Sequence, residues 1–231
     1  MISIIIPTYN EADQILTTIC KLKELSGGEH FEIIVSDGGS TDNTIELVKQ
    51  AGAILVNSPR KGRAAQMNAG ACLAKGEVLY FLHADTIPPD GYLTEVLEAV
   101  SKGYHAGCFM LSFDHPHWFL KANCWFTRFD VNAIRFGDQS LFVTKDTFEK
   151  SDGFSEDHIV LEDQELIKRL RKHVRFKVIK KPMITSARKY LENGVFKTQG
   201  IFFIIYFLYL AGFSQERLVR TYKKLITQNK L

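Results

Sequence analysis

Four short apolar runs, residues 2–6, 31–35, 53–56 and 78–82, each stop at a polar turn, with a helical pattern between one and the next. They are apolar at successive rather than alternate positions, so both faces of each strand must be covered. Ile15, Ile19, Leu22 and Leu25, then Ile45, Val48 and Ala51, recur at helical spacing between the first three runs. A third helix carries Met67 among Ala64, Ala65, Ala69 and Ala71, small residues that allow close packing on a sheet. Thr8 or Asn10 is placed to cap the first helix, Glu11 and Asp13 favour its positive end, and Gly27-Gly28 and Gly52 end the first two helices. Strands alternating with helices through short loops require crossover connections and parallel pairing. The expected fold class is α/β, a doubly wound, mostly parallel sheet.

Beyond residue 100 the pattern is less regular. Residues 106–113, 140–144 and 176–179 read as strands, 118–129 as an aromatic-rich amphipathic segment, and 161–166 as the opening of a helix that ends in a basic turn at 168–172. Residues 201–213 are thirteen consecutive uncharged residues, followed by a basic amphipathic helix holding Arg217, Arg220, Lys223 and Lys224, with Lys230 beyond it. Thirteen residues are too few to span a bilayer, which takes about 20. An interfacial or reentrant segment, a dimer contact and a buried helix all remain open for them. Charge is nearly balanced, 29 basic against 26 acidic residues, which points away from nucleic acid. Cys20, Cys72, Cys108 and Cys124 lack metal or redox spacing and read as buried thiols of a reducing cytosol. Met1 leads straight into a strand, with no secretory signal pattern, so the expected location is cytoplasmic.

In an open parallel sheet, ligands sit beyond the carboxyl ends of the strands. Those ends carry Tyr9, Asp37, Arg63 and Asp85, with His83 two residues before the last. An imidazole and a carboxylate in that position can hold a divalent cation, and the cation a phosphate. Asp37 followed by Gly38-Gly39 offers an acceptor beside a backbone that a flat ring can approach. The helix starts at Ser40-Thr41-Asp42 and Arg63-Ala64 offer N–H groups for phosphate, and Arg63 adds a guanidinium. Each has a plainer reading: Asp42 as a helix cap, Gly38-Gly39 as a turn, His83 as a hydrogen-bonding neighbour, Glu162 and Asp163 as acids at a helix start.

In order and spacing, Pro7-Thr8-Tyr9-Asn10-Glu11, Asp37-Gly38-Gly39-Ser40-Thr41-Asp42, Arg63-Ala64-Ala65-Gln66-Met67-Asn68, His83-Ala84-Asp85 and Glu162-Asp163 resemble a family 2 glycosyltransferase of GT-A fold over about residues 1–170. The resemblance implies that Thr8, Tyr9 and Asp37 hold the base of a nucleotide-sugar donor and Glu11 lies near its ribose. Arg63, Asn68 and Ala84 belong to matching donor-side motifs. It implies Mn²⁺ or Mg²⁺ on the diphosphate at an Asp-x-Asp position, where this chain keeps Asp85 and has His83 in place of the first Asp. Imidazole suits Mn²⁺ better than Mg²⁺. Asp163 maps to the catalytic base, with Glu162 beside it; Asp138 and Gln139 fall on the acceptor side, and Arg188 with Lys189 on a basic lid. One base and one metal describe a single displacement with inversion, from a UDP-sugar in preference to a GDP-sugar. The expected organisation is a domain at 1–195, with a nucleotide-binding half at 1–100 and an acceptor half at 101–195, and a helical tail at 196–231. The tail motivates a lipid-linked acceptor and peripheral contact with the inner face of a membrane. Trp118 and Trp125 could stack on sugar or lipid, although such a stripe is more often core. Two rivals stay open: a non-catalytic nucleotide-sugar-binding or scaffold protein, favoured by the missing first Asp, and a sugar nucleotidyltransferase. The latter wants a glycine-rich loop after the first strand, where Thr8-Tyr9-Asn10-Glu11 stands.

Overall fold

An eight-stranded sheet of order β3-β2-β1-β4-β7-β6-β8-β5 organises the computed structural model, which describes residues 1–134 and 137–226. The first four strands are β1 (Ile2–Thr8), β2 (Phe31–Asp37), β3 (Ile54–Asn57) and β4 (Val78–Phe81), and all pair in parallel. Between them run α1 (Ile15–Glu24), α2 (Thr44–Gln50) and α3 (Arg63–Leu73). All seven residues of β1 are buried, because alternate side chains enter different cores. Ile2, Ile4 and Ile6 pack with α1 residues Ile15, Ile19 and Leu22, whereas Ile5 packs with Ala64, Met67 and Ala71 of α3. A Cβ on Gly70 would lie 2.5 Å from Ile5 Cγ2, so the glycine lets α3 rest directly on β1.

The chain winds outward from β1 to β3 and returns to the other side of β1 with β4. That reversal opens a crevice at the carboxyl ends of β1 and β4, where ligands of such sheets bind. Beyond β4 come β5 (Thr86–Ile87), α4 (Tyr92–Ser101) and β6 (Ala106–Phe113), then α5 (Trp118–Phe126), β7 (Leu141–Thr144) and α6 (Lys145–Lys150). Two single turns, Asn132–Ile134 and Gly137–Gln139, precede β7. Next are α7 (Glu162–Leu170), β8 (Phe176–Thr185), α8 (Arg188–Asn193), α9 (Val195–Leu210) and α10 (Gln215–Leu225). β7 inserts antiparallel between β4 and β6, and β5 is antiparallel to β8, so the sheet is mostly parallel but mixed. β8 runs six residues past the expected end at 179 and crosses an irregularity opposite Phe109 and Met110.

Three expectations are corrected. Neither Thr8 nor Asn10 caps α1: Thr8 ends β1, and Asn10, at φ 53°, accepts from the Thr41 amide instead. Cys20 and Cys72 are exposed rather than buried, and only Cys108 is fully enclosed. β3 is not covered on both faces: Ile54 and Asn57 are exposed and Leu55 and Val56 half-buried, because it is the edge strand. Trp118 and Trp125, for which stacking and core readings both stood open, are exposed. Residues 201–213 fall mostly within α9, whose sixteen residues reach about 24 Å. Among the described residues no helix is long and apolar enough to cross a membrane. Ile201 and Ile205 of α9, with Leu218 and Tyr222 of α10, form a small core of their own that encloses Val160. The Gln215 side chain accepts from the amides of Ile159 and Val160, tying α10 to the segment before α7. The proposed boundary after 195 falls one residue inside α9, and Lys230 lies outside the described residues.

Candidate active site

The tips of β1 and β2 are fixed by two buried polar side chains. Asp37 accepts from the amides of Gly39 and Ser40, both at 2.8 Å, and from the hydroxyls of Ser40 and Thr8. Gln66 stands on the buried face of α3 and donates to the carbonyls of Thr8 at 2.6 Å and Ser36 at 2.9 Å. A Cβ on Gly38 would come within 3.0 Å of that amide, so the glycine lets α3 close on the loop. Gln66→Leu should lower unfolding free energy by about 1–3 kcal/mol, because a buried carbonyl loses its donor. Urea denaturation would check this, and unchanged stability would show that the amide does not staple the strands.

A cleft of about 150 Å³ lies at the reversal point, lined by Thr8 at the end of β1, Tyr9 and Glu11 after it, and His83, Ala84 and Asp85 after β4. Arg63, Asp138, Arg188 and Lys189 complete its polar wall. The Lys61 ammonium stands 5.0 Å above the Tyr9 ring. Asp37 is buried behind the cleft. Asn68 clamps a distant loop, exchanging hydrogen bonds with the backbone of Phe154, and Gln139 is fully buried with its amide on the Ile134 carbonyl. None of these three lines the cleft. Sequence reasoning missed Gln66, Ser186, Tyr190, Phe202 and Tyr222, all of which do. Gln66 had a signal, a lone polar residue inside a small apolar helical run; the others had none.

Glu162 and Asp163 open α7, are 2% and 7% exposed, and like Asp37, Asn68 and Gln139 do not line the cleft. Leu161 before them sits in the left-handed region at φ 63°. For a leucine this is strained by about 1 kcal/mol, and such strain concentrates at functional turns. Arg63 Nη1 lies 3.3 Å from Glu162 Oε1. Burial works against the Arg63 cation, but the carboxylates of Glu162, Asp163 and Asp138 outweigh it and hold its pKa above the usual value. For Asp163, burial and the adjacent Glu162 charge push the acid up to about 7, against opposing pulls from His83 and Arg63. The two acids thus differ in surroundings: Glu162 faces the Arg63 guanidinium, and Asp163 is buried with its acid raised.

His83 Nδ1 is 3.1 Å from Asp138 Oδ1, and its buried Nε2 has no hydrogen-bond partner. Burial disfavours the imidazolium, yet the Asp138 hydrogen bond outweighs it and the His83 pKa is raised. Burial would raise the Asp138 acid, but His83, Lys189 and Arg63 reverse this and hold it well below the usual carboxylate range. An imidazole that gives Nδ1–H to a carboxylate presents its Nε2 lone pair, the arrangement of metal-ligating histidines. Among the described residues no three His, Cys, Asp or Glu gather into a metal cage. Asp85 and His83 supply two ligand groups to the cleft, which fits a cation that takes its other ligands from diphosphate and water.

The fold and the position of this cleft define a GT-A glycosyltransferase architecture. The glycosyl transferase family 2 model matches residues 3–148, and the chain belongs to that family. The mannosyltransferase PcManGT of Pyrobaculum calidifontis, solved with GDP-Man and Mn²⁺, superposes with a TM-score of 0.72 at 16% identity, covering 97% of this chain and 69% of that one. Glucosyl-3-phosphoglycerate synthase of Mycobacterium tuberculosis, solved with Mn²⁺, UDP and glucosyl-3-phosphoglycerate, gives 0.66 at 17%, covering 92% and 80%. Among curated proteins, the undecaprenyl-phosphate 4-deoxy-4-formamido-L-arabinose transferase of Aeromonas hydrophila is 27% identical over 130 residues, 52% of this chain and 40% of that protein. The dolichol-phosphate mannosyltransferase of Pyrococcus furiosus is 27% identical over 107 residues, 44% of this chain and 30% of that protein. The chain spans at most about two fifths of the length of these curated relatives.

Proposed function

We propose that the chain transfers a sugar from a nucleoside-diphosphate sugar, UDP-linked in preference to GDP-linked, to an acceptor hydroxyl with inversion. The observation that carries this is the cleft at the strand reversal, where Arg63, Arg188 and Lys189 suit a diphosphate and His83 with Asp85 suits a cation. Asp163 is buried next to Glu162, the partner of Arg63, with its acid raised. Asp163 takes the proton of the acceptor hydroxyl as its oxygen bonds to the anomeric carbon, and the bond from that carbon to the diphosphate oxygen breaks. Glu162 keeps Arg63 in place, and Arg188 and Lys189 on α8 meet the departing diphosphate. Thr8, Tyr9 and Glu11 face the nucleoside. Asp37 shapes the loop from behind and Gln66 from the cleft wall, Gln139 underlies the wall, and Asn68 holds the loop after α6. His83 and Asp85 would hold Mn²⁺ or Mg²⁺, which supplies positive charge to the leaving group. A lipid-borne acceptor at the inner face of a membrane draws on the exposed apolar face of α9. The two curated relatives above are named for lipid phosphates. With such an acceptor a phosphate oxygen would attack in place of a hydroxyl, and Asp163 would have no proton to take.

Calorimetry of UDP and GDP with Mn²⁺, Mg²⁺ or EDTA, on the wild type and Asp85→Ala, tests the donor side. One nucleotide should bind in a metal-dependent way, at least about tenfold more weakly in the variant. Binding of neither under any condition would defeat the reading. The non-catalytic alternative draws on His83 at the first Asp-x-Asp position, and it predicts binding without turnover.

A further inference from the structure

The face that α5 turns to solvent is largely apolar, with Lys121 among its aromatics. Trp118, Trp125 and Phe126 are 67%, 47% and 52% exposed and recur at helical spacing, while Leu120 alone of this helix is fully buried. A surface helix ordinarily hides such a stripe. On α9 the same happens with Phe196, Phe203, Ile204, Phe207 and Leu210, spaced to share one side of that helix. The two stripes meet, because Phe196 lies 4.8 Å from Phe119 and 6.2 Å from Trp118 between ring centroids. The result is one continuous apolar ridge on two helices far apart in sequence.

Along the two ridge segments and α10, basic residues outnumber acidic ones, with Asp130 and Glu192 just outside them. Residues 117–129 hold Lys121 and Arg128 and no acid; residues 195–226 hold five basic residues against Glu216 alone. Two of these cations sit on aromatic rings of the two helical regions, Arg128 at 4.6 Å from Trp125 and Arg217 at 4.1 Å from Phe213. Exposed aromatics rimmed by cations match an anionic lipid interface, where rings lie at headgroup level and each Lys or Arg near the surface adds attraction. A second copy of the chain fits poorly, since a two-fold contact would set this basic rim against itself.

We propose that α5 and α9 together form a docking surface for anionic membrane lipid. The inner sides of the same C-terminal helices carry Phe202 and Tyr222 into the cleft wall. Docking therefore sets the cleft about one helix diameter, 10–12 Å, from the lipid headgroups. The surface rests on the lipid-borne-acceptor reading for its purpose, not for its detection.

Both tryptophans of the chain lie on α5, so they report on it directly. The chain of residues 1–231, without nucleotide, is mixed with vesicles of phosphatidylcholine alone or with phosphatidylglycerol added. With the anionic vesicles the protein should co-sediment, its tryptophan emission should shift to the blue, and brominated acyl chains should quench it. Neutral vesicles or high salt should weaken all three. Phe203→Asp with Phe207→Asp should weaken sedimentation at least about tenfold; Phe207→Asp alone serves if the pair does not fold. Sedimentation without any tryptophan response would remove α5 from the surface and overturn the proposal. Absence of sedimentation would overturn it outright. Concentration-dependent self-association that itself shifts the emission would assign the ridge to a second copy. A chain that binds nucleotide but no vesicle keeps the transferase reading, and one that binds vesicles but no nucleotide keeps only the surface.

Discussion

Replacing Asp163 by Asn should leave donor affinity near wild type and lower transfer by on the order of 10³-fold, the share of a rate that a positioned general base supplies. The same variant should be the more stable protein above neutrality. Burial and Glu162 raise the folded-state pKa of Asp163 from its ordinary 3.8 to about 7. A group raised in this way holds its proton more tightly in the native state. Its stabilisation is complete below the unfolded value and is lost as pH rises through the folded one. At pH 8 the wild type therefore carries a buried charge that Asn does not, and Asp163→Asn should gain about 1–2 kcal/mol, or roughly 2–8 °C in melting temperature. The gain should shrink toward pH 4. Differential scanning calorimetry across that range, with a transfer assay, checks both halves. Full activity in the variant would remove Asp163 from the reaction, and a stability difference independent of pH would remove its raised pKa.

His83→Ala and Asp138→Ala should each weaken Mn²⁺-dependent nucleotide binding by roughly 10–100-fold, and the double variant should be no weaker than His83→Ala. Non-additivity is expected because Asp138 acts through the His83 ring, holding Nδ1–H so that the buried, unpartnered Nε2 keeps its lone pair. Binding in EDTA should change little. Metal competes with a proton for Nε2, so the metal-dependent affinity of the wild type should rise with pH. Without Asp138 the His83 pKa falls, and the rise should move to lower pH. Calorimetry and Mn²⁺ electron paramagnetic resonance read this without any turnover. Additive losses would instead make Asp138 an independent contact, the acceptor-side role that the family resemblance suggests.

The donor half was legible because β1, β4 and most of β2 are buried on both faces, although β3 is not. A run such as residues 2–6 has few alternatives, and the polar turn after each strand marks the ligand edge. Strand direction is not written in periodicity, so nothing in 141–144 announced that β7 runs antiparallel between β4 and β6. The spacing of Leu93, Val96 and Val100 in α4 is legible as a helix, whereas the two-residue β5 leaves no pattern. Motif matching placed Asn68 and Gln139 at the site, but each spends its amide on a backbone carbonyl outside the cleft. The α5 stripe shows the converse: apolar period identifies a face and cannot say whether protein or solvent meets it.

Asp37 has one consequence for nucleotide choice. Its carboxylate offers about four lone-pair positions, and four donors from its own loop and Thr8 already occupy them. A base that engages Asp37 must therefore displace a neighbour, so recognition there is an exchange of partners with little net bond energy. Discrimination between uracil and guanine would then rest on how readily Ser40 swings aside, a property of loop compliance rather than of complementary edges.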